Sequence, residues 1–316
     1  MAAPAIGAGR SDLAAPVAAA TGRGEATRRP WFASAALYAV LVGGALVVAF
    51  PFLWMALTSF KSVQESNAYP PSLLPEVWRW ENYRDAWLTP PSTLGRYLLN
   101  SAVIAVAGTG VQVLIATLAA YAFARLRFPG RNALFLLVLA TTMVPDEVRL
   151  IPNFMTIRGF PLAGGNDLTG SGGTGFYDTY AGIILPGLAG AFTIFLLRQA
   201  FTQIPGDLWE AAQLDGATSL KFLTGVMVPL SLPALLTVTI FGLVARWNAL
   251  LWPLLITRSE SLRPVQVAMT FYQTEFVTDH GQMMAASVMV TLPIVVLYVL
   301  VQRQFIEGVA GTGIKG

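Results

Sequence analysis

The chain has no cysteine, one histidine and few charges, and each scarcity removes a class of chemistry. Without cysteine there is no disulfide, no iron–sulfur ligation and no thiol nucleophile. His280 has no second histidine to share a metal with, so a site there would need an all-carboxylate shell. Beside Asp279 in a polar loop it reads as a solvated residue, and no metal site is expected. No G-x-x-x-x-G-K-[ST] or H-E-x-x-H occurs, so neither nucleotide hydrolysis nor peptidase chemistry is supported through those motifs. No acid/base or nucleophile constellation is visible either, and no catalytic residue is assigned. Charged residues make up only 12% of the 316 positions, against about 25% in a soluble domain. The net charge of +3 is modest, and no nucleic-acid partner is expected.

What is present is apolar. Hydrophobic residues reach 55% and mean hydropathy is +0.60, and they fall in runs near the roughly 20 helical residues that span a bilayer. The chain is therefore read as an all-α polytopic membrane protein of six transmembrane helices. Residues 1–30, rich in Ala, Gly and Arg, read as a disordered tail. Arg28-Arg29 resembles part of a twin-arginine export signal, but the apolar run at 31–57 is long for a signal core and lacks a cleavage site, which makes it a first span. A polar and aromatic loop at 58–97 follows, then a domain at 98–303. Its spans are expected at about 98–122, 132–151, 179–197, 231–256 and 284–302, and a polar tail at 304–316 ends the chain.

Two spans carry reservations in their own letters. Pro145-Asp-Glu-Val-Arg149 interrupts the third, which either continues to about 151 with these charges at the interface or is a short helix buried by its neighbours. Pro186, Gly187 and Gly190 in the fourth predict a kink or a close helix approach. Six spans put both termini on one side. Basic residues outnumber acids in the two tails, the 122–132 loop and the 207–229 segment taken together, and the balance reverses in the three opposite loops. The short loop Arg125-Leu-Arg-Phe-Pro-Gly-Arg131 has no acid at all. By the positive-inside rule both termini are cytoplasmic.

Residues 207–229 differ from everything around them. Asp207 and Glu210 have the D-x-x-E spacing of a capping box, which predicts side-chain caps at a helix start. Leu208, Trp209, Ala211, Ala212 and Leu214 supply about two apolar turns, and Asp215-Gly216 supplies a helix stop. A second short helix is expected from Thr218 or Ser219. A compact, exposed helix–turn–helix knob between two spans suits docking better than mere connection.

These letters resemble a known family. Glu210-Ala-Ala212, then Gly216, then Val226-Met-Val-Pro229 is similar to the E-A-A---G---------I-L-P motif of the membrane subunits of binding-protein-dependent ABC importers, with Val226 and Val228 where Ile and Leu are usual. Tyr121-Ala-Phe-Ala-Arg-Leu-Arg-Phe-Pro-Gly130, Ile194-Phe-Leu-Leu-Arg198, Trp247-Asn248 with Trp252-Pro253, and Gly308-Val-Ala-Gly-Thr-Gly-Ile-Lys-Gly316 resemble the carbohydrate branch, the maltose-type second permease. The resemblance covers roughly 31–316 and implies a type I importer transmembrane fold in a prokaryotic inner membrane. It implies a second homologous permease as heterodimer partner, two ATPase subunits holding ATP-Mg, and an extracytoplasmic binding protein that delivers a sugar or oligosaccharide. A glycerol-3-phosphate or related polyol cargo is the alternative, followed by a secondary transporter. This chain itself would bind no cofactor and hydrolyse nothing. Glu210, Ala211, Ala212, Leu214, Asp215 and Gly216 would form the helix that couples it to the ATPase, where Glu210 and Asp215 pair with basic groups of that partner or Glu210 is only the capping partner of Asp207. The tail residues Gly313, Lys315 and Gly316 either fray or reach toward the ATPase.

Two further features are weighed on residue chemistry alone. Gly170-Ser-Gly-Gly-Thr-Gly175 matches G-x-G-x-x-G, but it follows no strand and opens no helix, so it reads as a flexible loop. Arg246 lies near the middle of the fifth span, where an arginine is costly and normally faces a cavity or partner, and Asn248 lies beside it. Together they line a translocation path that hydrogen-bonds a hydroxylated solute, or Arg246 pairs between subunits or snorkels.

Overall fold

A computed structural model describes residues 31–89, 92–275 and 279–313, and every regular element among them is helical. The chain divides into two compact units, Met1–Phe50 and Pro51–Gly316. Helix α1 (Trp31–Thr58) crosses that division and contains Pro51. Then come α2 (Val63–Ser66), α3 (Glu81–Leu88), α4 (Leu94–Arg125), α5 (Arg131–Ala140), α6 (Asp146–Arg158), α7 (Tyr180–Ile184) and α8 (Ala191–Thr202). The chain continues through α9 (Asp207–Leu214), α10 (Ser219–Phe222), a π-helical turn Leu223–Met227, α11 (Val228–Leu230), α12 (Leu232–Trp247), α13 (Leu251–Ile256), α14 (Val265–Glu275) and α15 (His280–Gly313).

The second unit is built on α4. Its buried positions recur about every four residues, Tyr97, Asn100–Ser101, Ile104–Ala105, Gly108–Thr109, Ala116–Thr117 and Ala120–Tyr121, with Gln112–Val113 half-buried in the one turn between. That spacing keeps one stripe facing inward along the whole helix, and α8 and α12 pack on it. At its start, Leu94 and Tyr97 join Ala86, Trp247, Val265, Ala268, Tyr272 and Ala285 in one core. Near its end, Ala116, Ala120 and Phe123 meet Phe135, Leu197, Phe201, Phe222 and Met227 in another. The opposite face leaves Val103, Val106, Leu114 and Leu118 exposed, an apolar surface suited to lipid or a partner helix.

Buried polar groups on the stripe are partnered. Asn100 is fully buried; its Nδ2 donates to the carbonyls of Ser261 (2.9 Å) and Arg263 (2.8 Å), and its Oδ1 accepts from the Tyr180 hydroxyl at 2.6 Å. The Ser101 hydroxyl accepts from the Val265 N–H, so this one turn of α4 holds the 258–265 segment in place. Lys61, only 2% exposed, donates to the Ser72 carbonyl and lies 4.8 Å from the Trp54 ring centroid.

Three helices, Ser34–Thr58, Leu94–Arg125 and His280–Gln302, are long and apolar enough to cross a membrane. Two bent pairs raise the number to as many as five: Tyr180–Gly187 with Ala191–Thr202 at 50°, and Ser219–Leu230 with Leu232–Trp247 at 81°. Several expected boundaries change. The single helix expected over 132–151 is two, because Val144 is extended ahead of Pro145 and α6 starts anew at Asp146. Asp146 and Glu147 then occupy a helix first turn, where the dipole favours them, and Asp146 pairs with Arg149. The continuous helix expected over 231–256 breaks at 248–250, between α12 and α13. The backbone expected as a tail from 304 is helical as far as Gly313. Of the tail residues singled out, Lys315 and Gly316 lie outside the described residues.

Candidate functional site

Two places concentrate the residues picked out by sequence, and they are built differently. The first is the knob. Helix α9 begins at Asp207, with Gly206 before it in a helical conformation and no side-chain cap. The expected capping box is absent, because Asp207 and Glu210 both lie inside the first turn, where their charges favour the helix dipole instead. The stop is as expected. Gly216 has φ +72°, Ala217 N–H donates to the Ala212 carbonyl at 2.9 Å, and Gly216 N–H donates to the Gln213 carbonyl at 3.0 Å, the paired bonds of a Schellman cap. The Thr218 side chain caps α10 by accepting from Lys221 N–H. No α9 residue is buried; Trp209 packs edge-on against Phe222 at 4.9 Å, and Trp209 and Ala212 lean on the core below. Leu214 is 91% exposed, and Glu210, Ala211 and Asp215 are exposed with it. Arg125 secures the root of the knob by donating to the carbonyls of Phe201 (3.0 Å) and Ile204.

The second place is a polar node inside the helix packing. Arg246 on α12 lies across α4, where Gly108 leaves room: a Cβ there would come within 2.5 Å of Arg246 Nε. Its Nη1 donates to Gln112 Oε1 at 2.6 Å and more weakly to Thr109 Oγ1 (3.4 Å) and the Gly242 carbonyl (3.5 Å). Its Nη2 donates to the Gly187 carbonyl at 2.8 Å, in the turn between α7 and α8. Gln112 Nε2 in turn donates to Thr193 Oγ1 at 3.0 Å, so α4, α8, α12 and the bend at Gly187 meet at one guanidinium. Asn248, expected beside it, belongs elsewhere: it is exposed, its Nδ2 donates to Val244 O, and its Oδ1 accepts from Gln266 Nε2 at 3.2 Å. Thr109 and Gln112 were not predicted, and Gly187 only as part of a kink, because no local pattern marks a neutral acceptor as the partner of a distant arginine.

A third feature joins two polar loops. Asp178, with φ +57°, accepts from the N–H groups of Arg258 (2.8 Å) and Ser259 (2.9 Å) and from the Ser259 hydroxyl. Partial burial pushes its carboxyl up, but the Ser259 and Arg258 hydrogen bonds and the Arg258 charge outweigh that and hold it below the usual range. Among the described residues no cluster of three or more His, Asp or Glu could hold a metal ion. Gly170–Gly175 lies in an irregular loop, with no strand before it and no nucleotide-binding helix after it.

Known proteins resemble this arrangement over most of its length. The chain matches the family described as "Binding-protein-dependent transport system inner membrane component" over residues 112–310. It is 31% identical to the diacetylchitobiose uptake system permease protein NgcG of Streptomyces coelicolor, over 86% of each chain. It is 32% identical to the sn-glycerol-3-phosphate transport system permease protein UgpE of Pectobacterium atrosepticum, over 86% of this chain and 94% of that one. A chain in the crystal structure of a bacterial ABC transporter that imports the acidic polysaccharide alginate superposes with a TM-score of 0.73 at 26% identity, covering 88% of this chain and 98% of that one. Relatives of this similarity and coverage leave one assignment: the protein belongs to the family of inner membrane components of binding-protein-dependent ABC transport systems.

Proposed function

We propose that this chain is the permease subunit of an ATP-driven importer that translocates a saccharide delivered by an extracytoplasmic binding protein. It would pair with a second, homologous permease and two ATPase subunits, which alone hold ATP-Mg, and would itself catalyse no reaction. Six crossings of a prokaryotic inner membrane with both termini cytoplasmic suit the three long apolar helices, the two bent pairs and the shorter apolar helix Arg131–Met143. The relatives' names supply the cargo class: a chitin disaccharide derivative and alginate on one side, sn-glycerol 3-phosphate on the other. The last makes a polyol phosphate the second reading.

The observation that carries the reading is the knob. A rigidly stopped helix with Leu214 91% exposed and no residue buried is a projection that needs a groove to receive it. Glu210, Ala211, Ala212, Leu214, Asp215 and Gly216 would lie in that groove on the ATPase, and the chain's C-terminal end, from Gly313 to Lys315 and Gly316, would approach the same partner. The lack of native cysteine makes a direct test simple. A single Leu214→Cys should crosslink to cysteines placed along the ATPase groove, with a yield that changes when ATP is added. A co-purifying complex that gives no crosslink in any nucleotide state would refute the docking role.

A further inference from the structure

We propose that Arg246 recognises an anionic group, a carboxylate or a phosphate, on the solute this permease carries. The inference rests on the importer reading and narrows its cargo to acidic saccharides or phosphorylated sugars and polyols. It starts from a missing counter-charge. Helix α12 carries no other charged side chain, and α4, α8 and α13 contain no Asp or Glu. Among the described residues no carboxylate lies within 4.0 Å of the Arg246 guanidinium. A cation at this depth in helix packing is expensive unless something opposite in sign meets it.

The groups that do meet it are all neutral. The Gln112 amide, the Thr109 hydroxyl and the carbonyls of Gly187 and Gly242 fix the plane of the guanidinium without cancelling its charge. Thr193 fixes Gln112 in turn by accepting from its Nε2, which keeps Oε1 aimed at Arg246. Such a held arginine has already lost most of the rotamer freedom that binding would otherwise remove. It is not sealed off: the side chain is only half-buried, and the Nη2–Gly187 bond lies at an exposed position. Gly187 also leaves the ground beside Nη2 clear, since even a Cβ there would approach it to 3.4 Å. A planar fork held by neutral acceptors, partly open and lacking an anion, is suited to carboxylate or phosphate.

The test uses the complete transporter with its binding protein and ATPase in proteoliposomes. The probes are sn-glycerol 3-phosphate and a uronate disaccharide, set against glycerol and N,N′-diacetylchitobiose. The wild type should import an acidic probe in preference to its neutral counterpart. Arg246→Gln should lower that acid-to-neutral uptake ratio at least tenfold, and Arg246→Lys should restore part of it. A wild-type transporter that carries only the neutral probes overturns the proposal and leaves the importer reading standing. So does an Arg246→Gln variant that loses both probe classes equally, or fails to assemble with the second permease, since the counter-charge would then be a carboxylate of that partner. Absence of ATP-driven uptake of every probe overturns this proposal, and the importer reading falls with it only if the binding protein also fails to stimulate ATP hydrolysis.

Discussion

Replacing Gly216 tests the knob most cleanly, because nothing but backbone conformation is at stake. No atom lies within 4 Å of where its Cβ would be, so any side chain has space. Its φ of +72° is the obstacle. An L-residue in the left-handed region costs about 1–2 kcal/mol, and a β-branched one lies at the unfavourable end. Relief comes only by giving up the two cap bonds to Ala212 and Gln213. Because α9 has no buried residue, that loss falls on the knob rather than on the core below it. A shift of 1–2 kcal/mol changes the ratio of ordered to unwound knob by roughly 5–30-fold. Gly216→Val should therefore insert and assemble normally but hydrolyse several times more ATP per solute imported, measured together in proteoliposomes. Gly216→Asn should recover most of the loss, since Asn tolerates this conformation. A Val variant with the wild-type ratio, or an Asn variant no better than Val, would refute the view that a stopped, rigid α9 transmits force.

Three further outcomes follow from the geometry. Asn100→Leu strands the Arg263 carbonyl and the Tyr180 hydroxyl and leaves the Ser261 carbonyl only its bond from Arg96 Nε; at about 1–3 kcal/mol for each stranded group it should lower the unfolding temperature of the solubilised protein by several degrees, with Tyr180→Phe costing a fraction of that. The Asp178 carboxyl is held below its usual value, so its contribution is complete above the unfolded pKa of about 3.9 and is lost as pH falls through the lower folded value. Hydrogen exchange at 257–260 should accelerate only in that acid window, and Asp178→Asn should abolish the pH dependence. Arg125→Met removes a charged donor from the Phe201 and Ile204 carbonyls, a loss of about 1.5–3 kcal/mol per bond. It should expose residues 203–207 to limited proteolysis and, because Phe201 and Ile204 belong to the core, lower the unfolding temperature by several degrees.

Local rules carried well from letters to structure. Asp215-Gly216 ends a helix because only a residue at ease with positive φ can occupy that turn, and Thr218 caps the next because its hydroxyl reaches Lys221 N–H. The bend in 180–202 follows from Pro186 with Gly187 and Gly190. The capping box failed for a reason just as local: the D-x-x-E spacing is right, but α9 begins one residue too early for Asp207 to stand outside it. Position 145 was visible as an interruption, yet the letters left open whether the helix continues to about 151 or stops short; the charges after it open a new helix. What no local rule reaches are partners 134 residues apart, such as Arg246 and Gln112, or 161 apart, such as Asn100 and Ser261. An amide in an apolar stripe looks the same in sequence whether it holds a loop, orients an arginine or faces a lipid.

Those long-range partners share an owner, and this links the two sites. Asn100, Gln112 and Arg125 all belong to α4, an unbroken helix of 32 residues without internal proline. At 1.5 Å per residue, Asn100 and Arg125 are about 37 Å apart, with Gln112 near the middle. Asn100 ties one end to the 258–265 segment, Gln112 orients Arg246, and Arg125 grips the carbonyls at the root of the knob. By contrast, the pairs flanking α4 in the packing, α7 with α8 and 219–230 with α12, are both bent. An unbroken member between bent ones is the natural reference for movement, because side chains anchored on it keep their spacing while the bends open or close. Under the importer reading, a force on the knob reaches Arg246 by two routes, through Arg125 along α4 and through the 81° bend ahead of α12. Only the second can change the angle of Arg246 to Gln112. The bend, rather than the strut, would then decide when the guanidinium holds its solute and when it lets go.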